Sequence, residues 1–158
     1  MSDLSDPKFD AAALAASFAL AAQRVMDDLE LALQRNIKKQ LSKPGTGRKH
    51  PGQKYKSSAP FNPPTVQTGT LRRSWVGGGR SKYVRANTRK ELRSRLASNV
   101  EYAKYLEKGT SQMYPRPYLI TAVGITAAFD LPVILRRFER DIERRLKRSA
   151  RRRLKRGN

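Results

Sequence analysis

Residues 99–119, Asn-Val-Glu-Tyr-Ala-Lys-Tyr-Leu-Glu-Lys-Gly-Thr-Ser-Gln-Met-Tyr-Pro-Arg-Pro-Tyr-Leu, constrain the chain more than any other stretch. Tyr102, Tyr105 and Leu106 recur at helical spacing and predict a short helix with one apolar face. Gly109 follows that pattern with Lys108 in the last turn, which predicts a glycine C-cap complemented by a positive charge. Pro115 and Pro117 hold Arg116 in an extended link, because each proline disfavours the helical conformation in the residue before it. A second helix is expected to start near Tyr118. Nothing in the stretch has the form of a catalytic site. It reads as a packing and positioning element.

The same residues carry a resemblance. Tyr102 to Ser111, followed by Arg116 to Leu119, resembles the signature of the phage neck or tail-completion (head–tail joining) morphogenesis proteins of long-tailed double-stranded DNA phages. A second feature of that family is a proline-rich segment closing on Thr-Gly-x-Leu-Arg-x-Ser. Its counterpart is Thr68, Gly69, Leu71, Arg72 and Ser74, and the resemblance covers roughly residues 40 to 125. Two features depart from the family pattern: Lys108, where an aromatic or apolar residue is common, and the long basic tail after Arg136.

The resemblance implies a structural virion protein at the head–tail junction, in a neck, tail-completion or tail-terminator role. It implies a homo-oligomeric ring joining connector or stopper proteins to the tail tube around the DNA path. The location implied is the virion, with the host cytoplasm before assembly. The subunit and partner interface expected on this basis comprises Trp75, Tyr102, Tyr105, Leu106, Gly109, Thr110, Arg116, Pro117 and Tyr118. Trp75, the only tryptophan, reads as a core or interface anchor rather than a base-stacking platform.

Charge points to the partner class. A formal net charge of +21 exceeds what solubility needs and calls for a polyanion or an acidic surface. Residues 1–37 carry three basic and six acidic side chains, whereas residues 136–158 carry twelve basic and three acidic. An acidic start on a basic body suits head-to-tail packing of copies, and equally a solvated helix. The expected contacts to genomic double-stranded DNA, or to an acidic partner, are Arg93, Arg95, Arg144, Arg148, Arg151, Arg152 and Arg153. Such contacts neutralise phosphates without reading sequence.

Taken in order, Asp6-Pro7 is a helix start signal, and Leu14, Phe18, Val25, Leu29, Leu33 and Ile37 form one apolar stripe to Leu41. Residues 43–67 form a long loop with five of the nine prolines, of the kind that is functional or disordered. Thr68 is the expected cap of a short helical turn reaching Trp75, with Arg72 and Arg73 facing out. Residues 82–87 and 92–100 read as a hairpin joined by Thr88-Arg89-Lys90-Glu91, with Leu92, Ser94, Leu96, Ser98 and Val100 on one face. Asp130 is expected to cap a new helix with Pro132 in its first turn, running to about Arg153.

The expected fold is therefore α+β: a long N-terminal helix and a C-terminal helix packed on a small antiparallel sheet, with a long Pro/Gly-rich loop. Residues 1–135 form the domain, and 136–158 a basic helical extension. With no cysteine, a disulfide scaffold and a thiolate metal site are excluded. His50 is the single histidine and has no carboxylate cluster nearby in sequence. Gly47, Gly52 and Lys54 fail the phosphate-loop pattern, since the lysine is displaced and no Ser or Thr follows it. No enzyme, metal or cofactor is expected. No apolar run is expected to reach the length of a membrane span, and a membrane-surface helix at 132–153 is disfavoured by its low aromatic content. The competing function is a free, sequence-independent nucleic-acid-binding protein.

Overall fold

The computed structural model describes residues 11–77, 82–86 and 89–156, with side chains placed for 15–76, 92–148, 150 and 151. Helix α1 (Ala11–Gln40) is followed by the long loop, α2 (Thr70–Ser74), strands β1 (Val76–Gly77), β2 (Lys82–Ala86), β3 (Arg89–Arg93) and β4 (Leu96–Ala97), then α3 (Ala103–Lys108), α4 (Leu119–Ile125), a π-helical turn (Thr126–Asp130) and α5 (Leu131–Arg156). The fold is mixed and helix-rich, with long helices at both ends. The expected start at Asp6-Pro7 lies outside the described residues.

The core gathers at the C-terminal end of α1. Ile37 and Leu41 pack with Leu71 and Trp75 from the α2 region, Ala103 of α3, and Tyr118 and Ala122 at α4. Burial along the predicted stripe falls off towards the helix start: Ile37 is sealed, Leu33 half-buried and Phe18 exposed. Nearer the helix start, Ala21 is buried and Arg24 lies beside Asp141 of α5.

The strands pair as two separate two-stranded antiparallel ladders, β1 with β4 and β2 with β3. They do not join into one sheet among the described residues. Between β3 and β4 the chain turns to α1 instead, where Ser94 Oγ donates to the Glu30 carboxylate. The hairpin register also differs from expectation. Lys82 pairs with Arg93 and Ala86 with Arg89, so Arg89, Lys90 and Glu91 belong to a strand. Two residues then separate the strands, the commonest hairpin spacing. The expected alternation holds beyond it: Leu92, Ser94, Leu96, Ser98 and Val100 are half-buried, while Arg93, Arg95, Ala97 and Asn99 are exposed.

The 43–67 loop is folded back and pinned. Gly47 N donates to Ser57 O at 2.8 Å, Ser57 N to Arg48 O at 2.9 Å, and Phe61 N to Pro115 O at 2.9 Å. Gly45 permits the closure, since a Cβ there would lie 2.1 Å from Lys56 O. Thr68 does not occupy the N-cap of α2. Gly69 does, at φ 77, and Thr68 Oγ1 accepts Thr70 N at 3.4 Å.

Asp130 does not start a helix. Leu119 to Arg156 runs as one continuous rod through the π turn. A proline lacks the N–H of the helical ladder and its ring crowds the carbonyl four residues back. A widened turn just before Pro132 relieves that conflict. Freed from capping, Asp130 accepts hydrogen bonds from Arg35 and Asn36 of α1. Asn36 Nδ2 also reaches Thr126 Oγ1 at 2.9 Å, and Thr126 donates to Ala122 O at 2.8 Å.

This rod corrects one further expectation. Within Leu119–Arg148 an 18-residue window has mean hydropathy 1.7, long and apolar enough by length and composition to cross a membrane. Only part of it faces α1; Ile120, Val123, Phe129, Val133 and Leu135 are exposed.

Candidate functional site

The two signature stretches, distant in sequence, both line one cleft of about 260 Å³. Its lining includes Thr68 to Arg72, Tyr102, Leu106 and Arg116, together with Ser58 and Thr65 of the folded loop. Each stretch is held by local chemistry that the residue types dictate.

On the α3 side, Gly109 caps the helix as expected, at φ 76 with its N–H on Tyr105 O at 2.8 Å. A Cβ there would lie 2.7 Å from Met113 O, so only glycine fits the reversal. Thr110 and Met113 then bridge to each other, and Thr110 is exposed. Across the Pro-Arg-Pro link, Arg116 N donates to Leu106 O at 2.7 Å. Pro117 is half-buried.

Helix α4 has no Ser, Thr, Asp or Asn at its N-cap, which is Tyr118. Its orphan donors are met from a distance. Glu107 Oε2 accepts Tyr118 N and Leu119 N, and Oε1 accepts Ile120 N, all at 2.9 Å. This role of Glu107 is not among the sequence expectations. The missing N-cap, eleven residues after a glutamate, was the available signal.

Tyr118 is 1% exposed and meets Trp75 edge-on, with ring centroids 6.0 Å apart. Burial first, then the nearby Glu107 charge, push the phenol up to about 12. Trp75 and Tyr118 thus belong to this chain's own core, and Leu106 packs against that core. Tyr102 and Tyr105 are exposed. Of the expected interface set, these two tyrosines and Thr110 are exposed, while Leu106, Gly109, Arg116 and Pro117 are half-buried.

The expected charge contacts fall on two elements. Arg93 and Arg95 project from the hairpin side, exposed. Arg144, Arg148 and Arg151 are exposed on α5, while the side chains of Arg152 and Arg153 lie outside the described residues. Arg144 and Arg148 line a second cleft with Arg145, Asp141 and Arg24 of α1, the last an unanticipated member. The Arg145 hydrogen bond to Asp141, at 2.9 Å, and the charges of Arg145, Arg144 and Arg24 hold that carboxyl below its ordinary range. Among the described residues no group of three or more His, Cys, Asp or Glu could hold a metal ion. No family model, curated protein or solved structure matches the chain.

Proposed function

We propose that the chain is a structural component of a phage head–tail junction, repeated in a ring that joins connector to tail around the DNA path. In this reading it makes and breaks no covalent bonds. The observation that carries it is the convergence of the two signature stretches on one cleft. There Gly69 and Gly109 set the turns, Glu107 caps α4, and Tyr118 is sealed beneath. Every motif residue with a defined contact serves positioning.

Neighbouring copies would cover what one copy leaves open. The exposed apolar side chains Ile120, Val123 and Phe129 would be buried by adjacent subunits. The short ladders would extend into a sheet shared between copies, removing their edges. Arg93, Arg95 and the α5 arginines would line the channel or meet an acidic ring above or below. Localising the chain in images of the particle neck tests the proposal directly. Density for several copies around the DNA path is expected, and absence of the chain from purified virions would overturn the reading.

A second reading, a free sequence-independent nucleic-acid-binding protein, is favoured by the arginine cleft of Arg24, Arg144, Arg145 and Arg148. It requires duplex binding by a monomer or dimer that collapses steeply with salt. Sedimentation with and without purified tails separates the two.

A further inference from the structure

The cleft between the signature stretches contains donors that the chain itself does not use. Ser58 Oγ, Thr65 Oγ1 and Arg116 Nε are buried, have no hydrogen-bond partner in the chain, and line this one cleft. Ser58 is only 4% exposed. Buried polar groups are ordinarily paired, because leaving one unpaired costs about 1–3 kcal/mol. Two hydroxyls and a guanidinium N–H in one cleft suit an acceptor with a negative charge, and a carboxylate is acceptor-only. Leu41, Pro64, Leu71 and Leu106 supply apolar lining. The cleft therefore fits an acidic side chain carried next to an apolar one.

We infer that this cleft is a receptor for a carboxylate-bearing segment, and that its occupant is the Asp3–Asp10 stretch of a second copy of this chain. The stretch carries Asp3, Asp6 and Asp10 with Leu4 and Phe9 between them, against a single lysine. Four carboxylates of the folded body are committed elsewhere: Glu107 to α4, Asp130 to α1, Asp141 to Arg145, and Glu30 to Ser94.

Reach decides between the chain's own cleft and a neighbour's. Leu41, at the far end of α1, lines the cleft. The 30-residue helix that precedes it is about 45 Å long at 1.5 Å per residue. From Ala11, the eight residues back to Asp3 span at most about 29 Å even fully extended. None of the three aspartates reaches its own cleft, so the contact runs from one copy to the next. A contact of that kind is head-to-tail and closes into a ring when the rotation allows. The inference rests on the ring reading only for the neighbour's presence.

The test uses a fluorescein-labelled peptide of residues 1–10 and full-length protein carrying Asp3→Asn, Asp6→Asn and Asp10→Asn, so that its own segment does not compete. Saturable binding is expected, weakened at least about tenfold by Arg116→Gln and by Thr65→Val, a difference of about 1.4 kcal/mol. Thermal melts of both variants establish that they are folded, and Thr65→Val serves if Arg116→Gln is not. Mixing the triple-aspartate variant with Arg116→Gln protein should yield a 1:1 dimer, since one intact segment and one intact cleft remain. The inference fails if the peptide with three asparagines binds as tightly, or if both cleft variants bind like the parent. It fails equally if a scrambled acidic peptide matches the native one, or if a short DNA duplex displaces the peptide more readily than unlabelled peptide does. Peptide binding is read on soluble protein, so its failure leaves the neck localisation standing, and the reverse.

Discussion

The Glu107 carboxylate reaches over the Pro-Arg-Pro link to accept the backbone N–H of Tyr118 at 2.9 Å. One side chain thereby joins the end of α3 to the start of α4. A carboxylate at a helix N-terminus satisfies orphan donors and complements the positive end of the dipole. Glu107→Ala should lower stability by about 1–2 kcal/mol, the usual cost of a lost cap. Glu107→Gln retains an acceptor and should lose less. Chemical denaturation followed by circular dichroism checks the order, and equal losses for both would remove the charge from the explanation.

Tyr118 makes a prediction at high pH. Its phenol ionises near 10.0 in the unfolded chain and near 12 in the fold. Between those values the unfolded state has lost a proton that the folded state keeps, so stability falls as pH rises. The contribution is fully present below pH 10.0 and is gone above about 12. Tyr118→Phe should flatten that part of the pH–stability curve. Its cost at neutral pH should stay below about 1 kcal/mol, because the hydroxyl's bond to Ala103 O is long, at 3.5 Å.

The Asn36–Asp130 pair predicts a loss where α1 meets the C-terminal rod. Asn36 is buried and gives its amide to Thr126 and Asp130. Asp130→Ala leaves that amide short of an acceptor and removes the partner of Arg35, so a loss of about 1–3 kcal/mol is expected. The far-ultraviolet spectrum should keep its helix content, since the rod is held by its own ladder.

Two glycines of the loop should behave differently. Gly45 has no room for a Cβ, whereas Gly52, at φ 78, has nothing within 4 Å. Gly45→Ala should therefore open the loop and speed tryptic cleavage after Arg48, Lys49 and Lys54, whose side chains are already exposed. Gly52→Ala should change cleavage little, costing only the left-handed backbone penalty of roughly 1–2 kcal/mol. Comparable digestion of the two variants would mean that the Gly45 contact is not what closes the loop.

These residues also mark where the fold was readable from sequence. The Gly109 cap and the in–out alternation from Leu92 to Val100 depend on neighbours in the chain, and both stood out as patterns. The core role of Ile37 followed from helical spacing in the same way. Glu107, Asn36, Ser58 and Thr65 act on partners brought close by folding, which no local period encodes. The continuous rod through Pro132 was hidden for a related reason. The local rule for proline predicts a break, and a π turn beside the Asn36–Thr126–Asp130 network overrides it. The charge asymmetry between the two ends of the chain was legible, but the cleft lined by Ser58, Thr65 and Arg116 needed separated segments brought together.

Asp141 offers the sharpest test of the arginine cleft. It stands among Arg24, Arg144, Arg145 and Arg148 and ties up Arg145 at 2.9 Å, with Arg144 at 3.7 Å. Asp141→Asn would release those guanidinium groups, while Glu139→Gln makes the same change of charge two residues away. If phosphates enter this cleft, the first variant should bind a short duplex several-fold tighter than the second. Its dependence on salt should also steepen by about one phosphate contact, whereas that of Glu139→Gln should not. Equal affinities and equal slopes would reduce the effect to net charge. In that case the arginines of α5 would act as a diffuse field around the rod, and Arg24 would have no part in holding DNA.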